Sequence, residues 1–261
     1  GDVYKRQDQK ELAMEVMKKL AVKHGLVCLL HEKPFEGVNG SGKHNNWSIA
    51  TNDGQNLLNP GSTPMENLQF LTFLCAVIKG VDEYADLLRI SAASAANDHR
   101  LGANEAPPAI ISIFMGEELQ GVLDALVSGD TYTSQSMTFK IGVDALPDFP
   151  KDSTDRNRTS PFAFTGNRFE FRMVGSSENI ACPNHMLNTI VASELSDIAD
   201  KMEKVPADQF KDELKKLLAE IVKEHKRVIF NGDGYSDAWV EEAAERGLPN
   251  YKTCLLYTSD A

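Results

Sequence analysis

A five-residue stretch in which charged and aromatic residues alternate constrains this 261-residue chain more than any other feature. It reads Arg168-Phe-Glu170-Phe-Arg172. Successive side chains of a β-strand point to opposite faces, so the stretch predicts the centre of a strand over Asn167–Val174. One face of that strand is apolar and packs on a core, which leaves the charged face for a surface or a site.

The charged face has two interpretations. A carboxylate between two guanidiniums is usually a solvated ion-pair ladder when it is isolated. Arg156 and Arg158 lie just upstream, however, and Arg100 lies further back. Arginines gathered in one site bind phosphates and carboxylates with a forked geometry that lysine does not reproduce. A carboxylate held among them, here Glu170, stays ionised and is ready to bind a divalent cation.

A glycine-rich stretch, Gly37–Lys43, leads into a second alternating pattern. Its spacing is that of a phosphate-binding loop, but that motif requires a serine or threonine next and then a helix, whereas His44 and a strand-like alternation follow here. The alternation predicts a strand on which His44, Asn46 and Ser48 share one face. A single histidine is more often structural than a ligand. The glycines, however, permit close approach to a ligand, and the two polar neighbours can hydrogen-bond a base or a sugar.

Hydrophobic periodicity and turn residues predict the other elements. The first helix, Asp8–His24, carries Leu12, Val16 and Leu20 on one face, and an apolar run at 26–30 predicts a short buried strand. The remaining elements are a strand at 109–115, a long loop region at 129–158, and helices at 65–96 (interrupted near Gly80), 117–127, 186–203, 207–225 and 237–246. No repeat or low-complexity linker divides the chain, which predicts one domain with a helical C-terminal portion.

The ends and the charge balance limit the function classes. The stretches 1–7 and 254–261 continue no neighbouring pattern, and we interpret them as non-native flanks of a domain at 8–252. Lys and Arg number 27 against 38 Asp and Glu, so the formal net charge is −11. That charge argues against a nucleic-acid protein held by a general phosphate-facing surface. No apolar run approaches the roughly 18 residues that a membrane span needs.

A third motif, His99–Pro108, reads His-Arg-Leu-Gly-Ala-Asn-Glu-Ala-Pro-Pro. Its glycine and paired prolines predict an irregular loop that presents Glu105. A loop carboxylate is usually only solvated. If this loop covers an active site, Glu105 is a candidate general base.

Taken together and in their order along the chain, the motifs resemble the catalytic signatures of glutamine synthetases. The amino-acid sequences at 31–48 and 100–108 are most similar to the type III branch, and the resemblance covers nearly all of 8–252. It implies an α+β fold of the glutamine synthetase catalytic-domain type, a curved antiparallel sheet flanked by helices. It also implies ATP-dependent ligation of ammonia to L-glutamate through a γ-glutamyl phosphate, with Mg²⁺ or Mn²⁺.

The resemblance implies a role for each matching residue. The metal that bridges the ATP phosphates is bound by His44 and Glu170. Glutamate is bound by Asn39, Gly40, Arg100 and Arg172. The nucleotide lies beside Asn46 and Ser48, and the transferred phosphoryl group is neutralised by Arg158 and Arg168. Glu105 is the flap residue that closes over the intermediate and takes a proton from ammonium.

The sequence departs from the family pattern in three places. The family's further arginine, five positions beyond Arg158, is Ala163 here, and the flap is one residue shorter than in the commoner branch, so Glu105 is matched on Glu-Ala-Pro. The family's other metal-ligand glutamates and its N-terminal sheet domain precede the segment that matches Asp8. We therefore expect this chain to carry part of an active site and to be inactive alone. The intact enzyme is expected to be a cytoplasmic ring-forming homo-oligomer with sites at subunit interfaces.

Two alternatives remain open. One is a catalytically silent relative with a structural or binding role, and the retention of His44, Glu105, Glu170 and the arginines weighs against it. The other is a γ-glutamyl ligase that acts on another amine, such as a polyamine. The amine site is only partly present, so the sequence leaves this second alternative open.

Overall fold

The computed structural model of the chain describes residues 2–102, 106–132, 138–139, 149–150 and 159–253. Its helices are α1 (Asp2–Lys23), α2 (Leu68–Glu83), α3 (Ala85–Ile90), α4 (Ala95–Arg100), α5 (Glu117–Ser128), α6 (Ala181–Met202), α7 (Phe210–His225) and α8 (Asp237–Glu245). Its strands are β1 (Gly42–Trp47), β2 (Ile113–Phe114), β3 (Thr138–Phe139), β4 (Phe149–Pro150), β5 (Phe162–Phe164) and β6 (Phe169–Gly175). The predicted α+β class and the helical C-terminal portion are confirmed. None of the helices in these ranges has the length and apolar character to cross a membrane.

The main sheet has four strands in the order β1-β6-β5-β2. The β1–β6 and β6–β5 pairs are antiparallel, as predicted, but β5 and β2 are parallel. A parallel pair needs a long connection, and here α5 and the long stretch after it lie between the two strands. The sheet is therefore mixed, with its antiparallel part at the β1 edge.

The apolar face of the sheet is an aromatic cluster. The Phe162 ring stacks on Phe169 at 4.7 Å between centroids and meets Phe171 edge-on at 5.9 Å. Phe70 of α2 covers the cluster, with its ring 6.1 Å from that of Phe164. Full burial of one such ring stabilises the fold by about 1.5–3 kcal/mol. This anchoring, predicted from the alternation, holds β6 in place while its opposite face carries charge.

The ladder between β1 and β6 contains a bulge. Lys43 and Asn45 are two residues apart on β1, but their partners on β6, Val174 and Phe171, are three apart. His44 therefore faces two residues of β6. A bulge leaves backbone groups without ladder partners and turns the nearby side chains.

The N-terminal segment differs from the prediction in its packing. Helix α1 forms but begins at Asp2, inside the stretch interpreted as a flank, and its predicted apolar face is exposed, with Leu12 at 66%. The run at 26–30 is not a strand, and its Val27 is 82% exposed. Apolar runs predict burial only where a second surface covers them, and the described residues supply none for this segment.

The long helical region at 65–96 breaks at other places than predicted. It is interrupted at Tyr84, between α2 and α3, and a second time between α3 and α4. Gly80 lies inside α2, where a Cβ would collide with the Ile190 side chain of α6. The glycine therefore permits close helix packing and does not end the helix.

Asp82 forms a buried polar junction between α2 and the end of α7. Its carboxylate accepts a hydrogen bond from the Arg227 Nε at 2.8 Å and lies 2.9 Å from the His225 Nδ1. The junction satisfies a buried charge in the helical layer. It lies on helices, apart from the β1–β6 ladder.

Candidate functional site

Glu170 joins the two strands of the bulged ladder. Its Oε2 accepts hydrogen bonds from the Nε and Nη2 of Arg172, at 2.9 and 2.8 Å. Its Oε1 lies 3.0 Å from the Nδ1 of His44 on β1. The Glu170 side chain is 12% exposed and that of His44 is 57% exposed, so the pair is open to solvent on the histidine side. The structure thus brings together both residues that the resemblance implies as metal ligands.

The surroundings of Glu170 keep it ionised. Burial by itself raises the pKa of this carboxyl group, but the hydrogen bond and positive charge of Arg172, followed by His44, outweigh that effect and lower the pKa. A carboxylate that is ionised across the neutral range is ready to bind a cation without first losing a proton.

This lowered pKa predicts acid sensitivity. The pKa of Glu170 is lower in the folded state than its ordinary value of 4.5, so the ionised carboxylate stabilises the fold at pH values above 4.5. This stabilisation is lost as the pH falls through the lower pKa of the folded state. We expect the free energy of unfolding to decrease on acidification below about pH 5. Urea unfolding at a series of pH values measures this slope. Glu170→Gln should flatten it, and an identical slope in the variant would contradict the assignment.

The His44–Glu170 pair fits part of a divalent-cation shell. The His44 Nδ1 and the Glu170 Oε1 lie within hydrogen-bond distance of each other, at 3.0 Å. An imidazole nitrogen beside a carboxylate oxygen is a pair of donors that a divalent cation could use. Among the residues that the structure describes, no cluster of three or more His, Cys, Asp or Glu side chains could hold an ion. The pair would supply two donors, and the others would come from elsewhere.

Arg100, which the resemblance assigns to substrate binding, contacts the backbone of β6. Its Nη2 donates to the carbonyl oxygens of Arg172, Met173 and Val174, at 3.2, 2.9 and 3.3 Å, and its Nε donates to Asn97 Oδ1 at 2.8 Å. The side chain is buried. These carbonyls belong to the bulged part of β6, so the guanidinium supports the bulge from beneath. These contacts give Arg100 a supporting role beneath the bulge, and its contact with a substrate carboxylate stays a prediction.

The glycine-rich loop lies directly on Arg100. A Cβ at Gly40 would lie 2.6 Å from the Arg100 Cγ, and a Cβ at Gly42 would collide with its guanidinium. Asn39, next to Gly40, is exposed. The strand β1 follows the loop, which agrees with rejection of the phosphate-loop interpretation.

The predicted nucleotide-side residues extend along the same face. Asn46 is exposed and stands opposite Glu170 in the ladder. The Ser48 hydroxyl donates to the carbonyl oxygen of Asn167 at 3.1 Å, and Arg168, the next residue, is exposed. Ser48, directly after β1, therefore lies beside the start of β6.

Three further positions came from the match to the family pattern, and the structure describes one of them. Ala163 on β5 is fully buried and stands opposite Glu170, so the position where the family has an arginine lies in the neighbouring strand, across the ladder from the carboxylate. Glu105 and Arg158 lie outside the described residues. The structure leaves their roles as predictions.

Two residues near the site escaped sequence reasoning. Asn97 is fully buried and donates from Nδ2 to the carbonyl of Met173 at 2.7 Å, so it shares the bulge with Arg100. Its spacing of three from Arg100 on one helix is a signal that could have revealed it. Glu32 is buried next to the glycine-rich loop, and no periodic pattern marks it.

Comparisons with known proteins identify one family. The family model described as the glutamine synthetase catalytic domain matches residues 1–112, and that of the glutamine synthetase C-terminal domain matches 213–260. A glutamine synthetase of Butyrivibrio fibrisolvens is 54% identical over 96% of this chain and 36% of its own length. The type-3 glutamine synthetase of Dictyostelium discoideum is 53% identical over 93% of this chain and 33% of its own. A glutamine synthetase of Bacteroides fragilis is 49% identical over 93% of this chain and 34% of its own length.

The chain spans about a third of the length of these curated relatives. Within that third, the matches extend across nearly the whole chain, and the ladder that joins His44 to Glu170 lies inside it. The chain belongs to the glutamine synthetase family.

Proposed function

We propose that the complete polypeptide to which this chain belongs ligates ammonia to L-glutamate with ATP and forms glutamine through a γ-glutamyl phosphate. The observation that carries the proposal is Glu170, shared between His44 on the neighbouring strand and Arg172 on its own strand. Family membership supports it. Phosphoryl transfer requires positioning and charge neutralisation more than covalent help, so a carboxylate, an imidazole and arginines are suitable equipment.

The phosphoryl side of the site is formed by the β1–β6 ladder. His44 and Glu170 would hold Mg²⁺ or Mn²⁺, and the bound ion would neutralise phosphate charge. The exposed Arg168 and, from the resemblance, Arg158 would face the transferred group. Asn46 and Ser48 would lie beside the nucleotide.

The glutamate side is formed by the glycine-rich loop and β6. Asn39 and Gly40 would contact the amino acid, and Arg100 and Arg172 would hold its carboxylates, with Arg172 oriented by Glu170. Glu105 would close over the intermediate and take a proton from ammonium. An acyl phosphate hydrolyses in water, so closure protects it. We further propose, from the resemblance, a cytoplasmic homo-oligomer in which neighbouring subunits complete the sites.

The test is product formation. Purified complete polypeptide, supplied with glutamate, ammonium, ATP and Mg²⁺, should release glutamine and phosphate in equal amounts. We expect this chain alone to show no turnover, because the described residues supply two metal donors. Turnover by the chain alone would contradict the proposed need for ligands from outside it.

The same assay separates the alternatives. A silent relative would release no phosphate with any amine. A ligase for another amine would release phosphate with a polyamine such as putrescine and not with ammonium. Either result would contradict the proposed ligation of ammonia to glutamate. The absence of phosphate release with any amine would also contradict a catalytic role for Glu170.

A further inference from the structure

Glu32 ties the glycine-rich loop to the turn that follows β6. Its Oε1 accepts a hydrogen bond from the backbone N–H of Ser177 at 2.9 Å and a second one from the Ser177 hydroxyl. Its own carbonyl oxygen accepts the N–H of Ser41 at 2.7 Å, and the Ser41 carbonyl accepts the N–H of Ser176 at 3.2 Å. Three consecutive links therefore join one end of the loop to the end of β6.

Two glycines make room for Glu32. A Cβ at Gly175 would lie 2.7 Å from both the Cγ and the Oε1 of Glu32, and a Cβ at Gly40 would lie 2.6 Å from its carbonyl oxygen. Real Cβ atoms do not approach other atoms so closely. Gly40 carries the predicted substrate contact, so the carbonyl of Glu32 packs directly against the substrate loop.

Glu32 is 2% exposed, and its side chain ends in a carboxyl group. Burial alone raises the pKa of its carboxyl group, but the two Ser177 hydrogen bonds and the charge of Arg100 together lower it. Glu32 thus offsets part of the buried charge of Arg100, which supports the β6 bulge. One carboxylate acts on both the loop above Arg100 and the strand beside it.

We propose that Glu32 is a positioning residue of the substrate site: it sets the distance between the Asn39–Gly40 loop and β6, which carries Glu170 and Arg172. The inference rests on the proposed function, in which the loop contacts the amino-acid substrate. Glu32 itself touches no reacting atom. Its removal should therefore weaken the binding of glutamate more than it slows the chemical step.

Steady-state kinetics of the complete polypeptide test this proposal. Glu32→Ala should raise the KM for glutamate by about tenfold or more, because partners that orient a binding group are typically worth ten- to a hundredfold. The KM for ATP and kcat should change by about threefold at most. Glu32→Gln should restore much of the glutamate affinity, since its amide oxygen still accepts the Ser177 N–H. Ser177→Ala, a change at an exposed residue that removes one donor, should give a smaller rise in the same direction.

The matched control is Asp82→Ala, which removes another buried carboxylate, in the helical layer. It should lower thermal stability and leave the KM for glutamate unchanged. Unchanged glutamate KM in both Glu32→Ala and Ser177→Ala, or an equal rise in Asp82→Ala, would overturn the positioning role.

Hydrogen exchange of the same polypeptides gives a readout that needs no activity. The Ser177 amide, which loses its side-chain acceptor, should exchange faster in Glu32→Ala than in the wild type or in Asp82→Ala. The Ser41 amide keeps its acceptor, the main-chain carbonyl of residue 32, so faster exchange there reports that the loop has loosened. Unchanged protection at both amides would overturn the inference even if glutamine is formed. If exchange is faster in Glu32→Ala but the wild-type protein has no ligase activity, the link between Glu32 and Ser177 is supported and the proposed reaction is contradicted.

Discussion

Replacement of Glu170 by alanine in the complete polypeptide should lower the rate of glutamine formation by at least about 10²–10³-fold, the typical effect of removing one preorganised electrostatic group from an active site. The carboxylate is the shared partner of His44 and Arg172, at 3.0 Å and at 2.8–2.9 Å. Its loss removes a proposed metal donor and releases both neighbours at once. Quantification of glutamine and phosphate measures the effect.

Two further variants separate charge from packing. Glu170→Gln keeps the side-chain volume and an oxygen that can accept from Arg172, so the fold should persist while activity is lost. Glu220→Ala removes an exposed carboxylate from α7 and should leave the rate unchanged. Near-wild-type turnover in Glu170→Gln would remove Glu170 from the catalytic machinery.

The two arginines Arg100 and Arg168 should differ sharply when each is replaced by alanine. Arg100→Ala leaves carbonyls of the β6 bulge without their donor and Glu32 without its neighbouring charge, so we expect the free energy of unfolding to fall by about 3–5 kcal/mol. Arg168 is exposed, and its removal should change stability by no more than about 0.5 kcal/mol while it lowers activity. Equal destabilisation by both changes would contradict the supporting role of Arg100.

Urea unfolding of the chain, followed by the fluorescence of Trp47 and Trp239, measures this difference. Both indoles are buried, and Trp47 donates from Nε1 to Asn188 on α6 at 2.9 Å, so its emission reports the contact of β1 with the helical layer. The slope of the unfolding free energy against urea should stay constant between variants, which shows that the change is one of stability.

Alternating patterns predicted the strands that build the site. The order of charged and aromatic residues in 168–172 is enough to place Glu170 and Arg172 on one face of β6 and both phenylalanines in the core. The second alternation placed Asn46 on an exposed face, and helical periodicity located α5 to α8. Local patterns succeed here because each strand has one buried face and one polar face.

The bulge and its supports could not be predicted in the same way. A period of two does not reveal where one residue faces two, as His44 does beside Glu170. Nor does the motif around Arg100 reveal that its guanidinium donates to backbone carbonyls of β6. The buried strand predicted at 26–30 is wrong for a related reason. Hydrophobicity predicts burial but does not supply the surface that would cover these residues.

The binding of Mn²⁺ to the complete polypeptide tests the metal role of the His44–Glu170 pair most directly. Electron paramagnetic resonance of the free ion counts bound Mn²⁺ during a titration of the wild type and of Glu170→Gln. We predict that the wild type binds Mn²⁺ and that the variant loses one site or binds it at least about a hundredfold more weakly. Equal stoichiometry and equal affinity in the two proteins would contradict the assignment of Glu170 and His44 to the metal.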